Sequence, residues 1–177
     1  MYYGAIKKCD IANGPGVRVS LFVSGCTHHC KGCFNEETWS FSYGQPFTQA
    51  TEEQIFEWLT PSYIAGLSVL GGEPLEYVNQ EKLLPFLEKV KKIFPRKTIW
   101  CYTGYEFEKD VCARMIPKWK YTKKLMEQID FLVDGPFIEE KKDLSLRFRG
   151  SSNQRIIDVK KSLASGQTVL VSDEDFI

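Results

Sequence analysis

Histidine is nearly missing from this chain, and so is any excess of charge. Two histidines occur in 177 residues, and 23 Lys+Arg balance 23 Asp+Glu for a formal net charge of zero. A neutral total carries no electrostatic footprint for nucleic acid or an anionic membrane, so neither is expected as a partner. No apolar run approaches the roughly 18 residues of a membrane-spanning helix. The opening stretch, MYYGAIKKCD, carries charges where a signal peptide has its apolar core. These absences point to a soluble, cytoplasmic protein. Internal repeats, low-complexity tracts and linkers are missing too, so a single domain over residues 1–177 is expected. A chain of this length buries a core without disulfide staples.

Cysteine, by contrast, is present six times. The reducing cytosol argues against reading six as three disulfides. Cys9, Cys101 and Cys112 stand alone and read as small apolar residues. The other three, Cys26, Cys30 and Cys33, fall within S-G-C-T-H-H-C-K-G-C-F-N (24–35), with His28 and His29 between them. This Cys-x3-Cys-x2-Cys spacing puts three thiolates on one tight loop. Gly25 and Gly32 relax the backbone where it wraps a metal centre. Soft thiolates select zinc, Cu(I) or iron–sulfur clusters. Structural zinc would take His28 or His29 as fourth ligand, but zinc motifs usually come as two well-separated ligand pairs, and a second pair is absent. A 4Fe–4S cluster normally takes four cysteines. With three, one iron keeps an exchangeable position, and the histidines merely shape the loop.

Short, apolar, β-rich segments recur at 17–24, 66–70, 97–102, 129–134 and 154–158, with helical patterns at 52–59, 80–94 and 120–128. In the second helix Leu83, Leu87, Val90 and Phe94 form an apolar stripe, while Pro85 puts its first turn in question. Strand alternating with helix predicts βα units and an α/β fold with a mostly parallel sheet. The length falls short of a complete eight-unit barrel, so an open sheet or partial barrel is expected. Chemistry then belongs at the C-terminal ends of the strands. The cysteine loop, Gly71-Gly72-Glu73-Pro74, Thr103-Gly104-Tyr105 and Asp134-Gly135 each follow a predicted strand, which gathers four unusual loops at one sheet edge. Asn13-Gly14-Pro15-Gly16 reads first as a turn entering a strand.

Cys-x3-Cys-x2-Cys after the first strand, followed by Gly-Gly-Glu after the second, resembles the radical S-adenosylmethionine enzymes. A finer match lies in D-I-A-N-G-P-G-V-R (10–18), F-V-S-G-C (22–26), C-K-G-C-F-N (30–35), T-W (38–39), G-Q-P-F-T (44–48), Y-T-G-Y (102–105), F-L-V-D-G (131–135) and R-G-S-S-N-Q (149–154). These stretches are similar to the anaerobic (class III) ribonucleotide reductase activating proteins, a family of small glycyl-radical-enzyme activases. The wider superfamily often carries an aromatic residue just before the third cysteine. Here Gly32 stands there and Phe34 follows, a variation shared by the activating proteins. The match weakens after Gln154.

The resemblance implies a partial, open (β/α) barrel of the radical S-adenosylmethionine type. It implies that Cys26, Cys30 and Cys33 ligate a 4Fe–4S cluster whose vacant iron takes the amino and carboxylate groups of S-adenosylmethionine. Gly71, Gly72 and Glu73 would serve the methionine end, and the backbone of Gly32, Cys33 and Phe34 the adenine. By their place at the strand ends, Thr103, Tyr105 and Asp134 would border the site or serve as turn and capping residues, and Arg147 and Arg149 would hold a carboxylate, meet the partner or be solvated on the surface. The implied reaction is reductive cleavage of S-adenosylmethionine, followed by abstraction of a glycine α-hydrogen by the 5′-deoxyadenosyl radical. The implied partners are the large subunit of anaerobic ribonucleotide reductase and a low-potential electron donor such as flavodoxin. The partner's glycine loop would complete the site beside Cys33 and Gly72. Two other readings remain: a radical S-adenosylmethionine enzyme acting on another glycyl-radical enzyme or a small molecule, and a non-catalytic zinc-binding interaction module.

Overall fold

The computed structural model describes residues 1–176. Seven strands form one open, mixed sheet: β1 (Tyr2–Asp10), β2 (Val17–Val23), β3 (Gln45–Pro46), β4 (Ile64–Gly71), β5 (Thr98–Tyr102), β6 (Phe131–Asp134) and β7 (Arg155–Asp158). Their spatial order is β3-β1-β2-β4-β5-β6-β7. The middle four, β2, β4, β5 and β6, are parallel neighbours in chain order. Their connections carry α1 (Gln49–Leu59), α2 (Tyr77–Ile93), and a π-helical stretch Phe107–Met115 running into α3 (Ile116–Lys118) and α4 (Thr122–Gln128). After β7 comes α5 (Val159–Ser165).

Period-two alternation assigns each strand residue to a face. Val19, Leu21 and Val23 of β2, Leu67 and Val69 of β4, Ile99 and Cys101 of β5, and Leu132 of β6 join the main core. Ile55 and Leu59 of α1, Leu83, Leu87 and Val90 of α2, and Leu125 and Met126 of α4 join it as well. All these helices therefore cover one sheet face, as repeated crossovers of one hand require. The intervening strand residues point the other way, where Trp100, Val133 and Ile156 pack with Phe148, Val171 and Phe176.

That second face also buries a cation. Arg18 is 0% exposed. Its guanidinium donates to Ser68 Oγ at 2.8 Å, Thr98 Oγ1 at 3.0 Å, and the Leu67 and Thr98 carbonyls at 2.9 and 2.8 Å. Burial draws its pKa down to about 10. Strands buried on both faces of a parallel sheet are commonly apolar throughout. On β2 and β4 the second face instead carries Arg18, Ser20 and Ser68.

Three features add to what was expected. The fifth predicted strand is present as β7, but it runs antiparallel to β6, pairing Asp134 with Arg155. No helix crosses the sheet between them, so the chain turns back along the same edge. The opening stretch is β1, antiparallel to β2. Helix α2 begins at Tyr77 and takes Pro85 into its interior. Pro85 lies on the exposed side, where water can satisfy the carbonyl one turn back that the missing N–H leaves without a partner.

Candidate functional site

The parallel strands carry their following loops to one edge of the sheet, where a cavity of about 550 Å³ opens. Cys26, Cys30 and Cys33 line it, together with Gly71, Gly72, Glu73, Thr103 and Gly104. The four loops expected at this edge thus converge, with Gly135 bringing in the last.

The cysteine loop is stitched down at its base. Gly25 N–H donates to the Thr38 carbonyl at 2.7 Å and Cys26 N–H to the Trp39 carbonyl at 3.2 Å. From β4, Gly72 N–H reaches the Val23 carbonyl at 2.7 Å and Glu73 N–H the Gly25 carbonyl at 2.8 Å. Gly72 is required by this closeness. A Cβ there would lie 2.7 Å from the Gly25 carbonyl oxygen and 2.9 Å from that of Thr38. Glu76 holds the loop from below, accepting from Thr27 N–H at 2.9 Å and Thr27 Oγ1 at 2.5 Å.

Burial pushes the Cys26 thiol up to about 11 and raises that of Cys30 as well. Both are therefore thiols at neutral pH until a metal displaces the proton. Among the described residues, no group of three or more His, Cys, Asp or Glu side chains is arranged to hold a single metal ion. Gly32 has φ +70°, a backbone form that side chains rarely take, and a Cβ there would meet the Glu139 carboxylate at 2.9 Å. Phe34 stands 83% exposed at the cavity wall.

Glu73 is the most heavily bonded side chain of the site and is 1% exposed. Its Oε1 accepts from Leu75 N–H and Thr103 Oγ1, both at 2.8 Å. Its Oε2 accepts from Gly104 N–H at 2.8 Å and lies 3.0 Å from His28 Nε2. Thr103 thus reaches the site through Glu73. Tyr105 packs edge-on against His28, with ring centroids 4.3 Å apart, and does not line the main cavity. Arg149 lies on the cavity wall. Asp134 turns elsewhere: it is buried, accepts from Phe107 N–H at 2.9 Å, and pairs with Arg155. Arg147 is not among the lining residues.

Two groups escaped the sequence reading. His28 was expected only to shape the loop surface, yet it bonds Glu73 and lines the cavity. Glu76 drew no attention, although its place three residues after Glu73 on a turn entering α2 was visible. Asn13 also borders the cavity, and its carbonyl accepts from Ser68 Oγ at 2.5 Å.

A family model described as a 4Fe-4S single cluster domain matches residues 12–157. Fold and site together define an α/β protein of this single-cluster class. Among its curated relatives, a protein of Haemophilus influenzae is 46% identical over 158 residues, 88% of this chain and 97% of the relative. One of Escherichia coli K12 is 42% identical over 156 residues, 87% of this chain and 96% of the relative. One of enterobacteria phage T4 is 42% identical over 156 residues, 88% of this chain and 93% of the relative. All three are named anaerobic ribonucleoside-triphosphate reductase-activating protein. The chain belongs to this family.

Proposed function

We propose that this chain, folded as one domain over residues 1–177, activates an anaerobic ribonucleotide reductase by forming a glycyl radical on its large subunit. The observation that carries the reading is the convergence of Cys26, Cys30 and Cys33 with the Gly71-Gly72-Glu73 strand end on one cavity. The residues fit a 4Fe–4S cluster in their chemistry: three soft thiolates on one glycine-relaxed loop and no fourth cysteine among the lining residues. When bound, the cluster would supply one electron for C–S cleavage of S-adenosylmethionine, giving methionine and the 5′-deoxyadenosyl radical that takes the glycine α-hydrogen.

The protein's own work is holding and shielding. Cys26, Cys30 and Cys33 would hold three irons. Gly71 and Gly72 would set backbone beside the methionine end; a Cβ on Gly71 would strike the Val23 carbonyl and one on Gly72 those of Gly25 and Thr38, so glycine is what lets this strand end pack against the cysteine loop. Gly32 and Phe34 form the wall on the adenine side. Apolar Leu70, Phe137 and Leu146 help keep water from the reacting atoms. The parallel order β2-β4-β5-β6, with helices on one face, supports a partial barrel of the radical S-adenosylmethionine type. The open mouth suits a protein substrate whose glycine loop completes the site.

A low-potential donor such as flavodoxin would deliver the electron. No described helix is long and apolar enough to cross a membrane, and we place the protein in the cytoplasm. The test is electron paramagnetic resonance of the reductase mixed with anaerobically reconstituted protein. A glycyl radical signal that needs both reductant and S-adenosylmethionine is expected. Zinc at one equivalent with no iron uptake would refute the reading.

A further inference from the structure

A carboxylate offers about four acceptor directions on its two oxygens. Glu73 fills all four from within the protein: Leu75 N–H, Thr103 Oγ1, Gly104 N–H and His28 Nε2. The first comes from the turn after β4, and the next two from the end of β5. Only His28 comes from the cysteine loop. It sits two residues from Cys26 and from Cys30, with its ring wedged between Tyr105 and Gly104. A Cβ on Gly104 would come within 2.7 Å of the imidazole, so that glycine is what lets the ring in. The motifs Cys-Thr-His, Gly-Gly-Glu and Tyr-Thr-Gly-Tyr therefore meet in one clasp.

We propose that His28 is a positioning residue, which locks the cysteine loop to the ends of β4 and β5 through Glu73 and so sets the thiols against the ligand-binding glycines. The Glu73 side chain is committed to this clasp. Gly72 lines the cavity at the same strand end. The clasp stands on the protein's own contacts; its consequence for S-adenosylmethionine rests on the function proposed above.

The experiment compares the full chain with His28→Ala and His28→Gln. Glutamine puts an amide N–H near the place of the imidazole Nε2. In the metal-free proteins, hydrogen exchange is read at the Cys26 and Thr27 amides, which are bonded to Trp39 and Glu76. After anaerobic reconstitution, the reduced cluster is titrated with S-adenosylmethionine and followed by electron paramagnetic resonance. Losing one hydrogen bond to a charged group should speed exchange and weaken the titration by roughly tenfold or more in His28→Ala. The Gln variant should recover most of both. Wild-type exchange in His28→Ala, or equal impairment of the two variants, overturns the clasp. A wild-type spectrum indifferent to S-adenosylmethionine refutes the function instead, and the metal-free exchange still decides the role of His28.

Discussion

Replacing Thr103 with valine removes a hydroxyl and nearly nothing else. That hydroxyl donates to Glu73 Oε1 at 2.8 Å and accepts from Tyr105 N–H at 3.1 Å. Thr103 is 6% exposed and Glu73 1%, so water has little access to replace either bond. A hydrogen bond to a charged group contributes about 1.5–3 kcal/mol and a neutral one about 0.5–1.5 kcal/mol. Thr103→Val should therefore lose roughly 2–4 kcal/mol of stability. For a chain of this size that corresponds to a fall in Tm of roughly 5–15 °C. Urea unfolding of reduced, metal-free protein measures it, with an unchanged m value as the check on two-state behaviour. Thr103→Ser keeps the hydroxyl and should stay within about 1 kcal/mol of wild type. A Thr103→Val protein within about 0.5 kcal/mol of wild type, the range of an ordinary surface substitution, would refute the view of Glu73 as a saturated hub.

Alanine at Cys26, Cys30 or Cys33 should abolish iron binding after anaerobic reconstitution, whereas alanine at Cys9, Cys101 or Cys112 should leave iron near normal; iron and sulfide analysis decides between them. Gly72→Ala drives a Cβ into two backbone carbonyls that cannot swing aside. It should cost about 1–3 kcal/mol in urea unfolding and displace the cysteine loop enough to lower iron uptake. Asp130 should leave a pH signature. Burial acts to raise its carboxyl pKa, but hydrogen bonds from Lys160, Lys91 and Ile99 N–H outweigh burial and hold it below the ordinary 3.8. A depressed carboxylate contributes stability that is complete above its unfolded value and is lost as pH falls through the lower folded one. Between about pH 5 and 2, stability of the metal-free protein should thus fall less steeply in Asp130→Asn than in wild type, and parallel curves would contradict the assignment.

Features that act over a few residues were legible in the chain. Cysteine spacing within one loop, the glycine doublet after an apolar run, and strands alternating with helical patterns each follow from local geometry. They were enough to expect an α/β sheet with its unusual loops at one edge. A strand reads the same either way, so the direction of β7 had only one sequence sign, the lack of a helical pattern between 134 and 154, and its pairing with β6 settled it as antiparallel. Arg18 could not be seen as a core residue, because its acceptors lie near Ser68 and Thr98, far along the chain. The same distance hid His28, which is 45 residues from Glu73. On its own the sequence determined which side chains can bind a metal and which backbone can approach a ligand, since both are properties of residue type and short spacing. Tertiary structure alone decided which donors saturate Glu73, because a carboxylate buried from water takes its partners from whatever strands pack beside it.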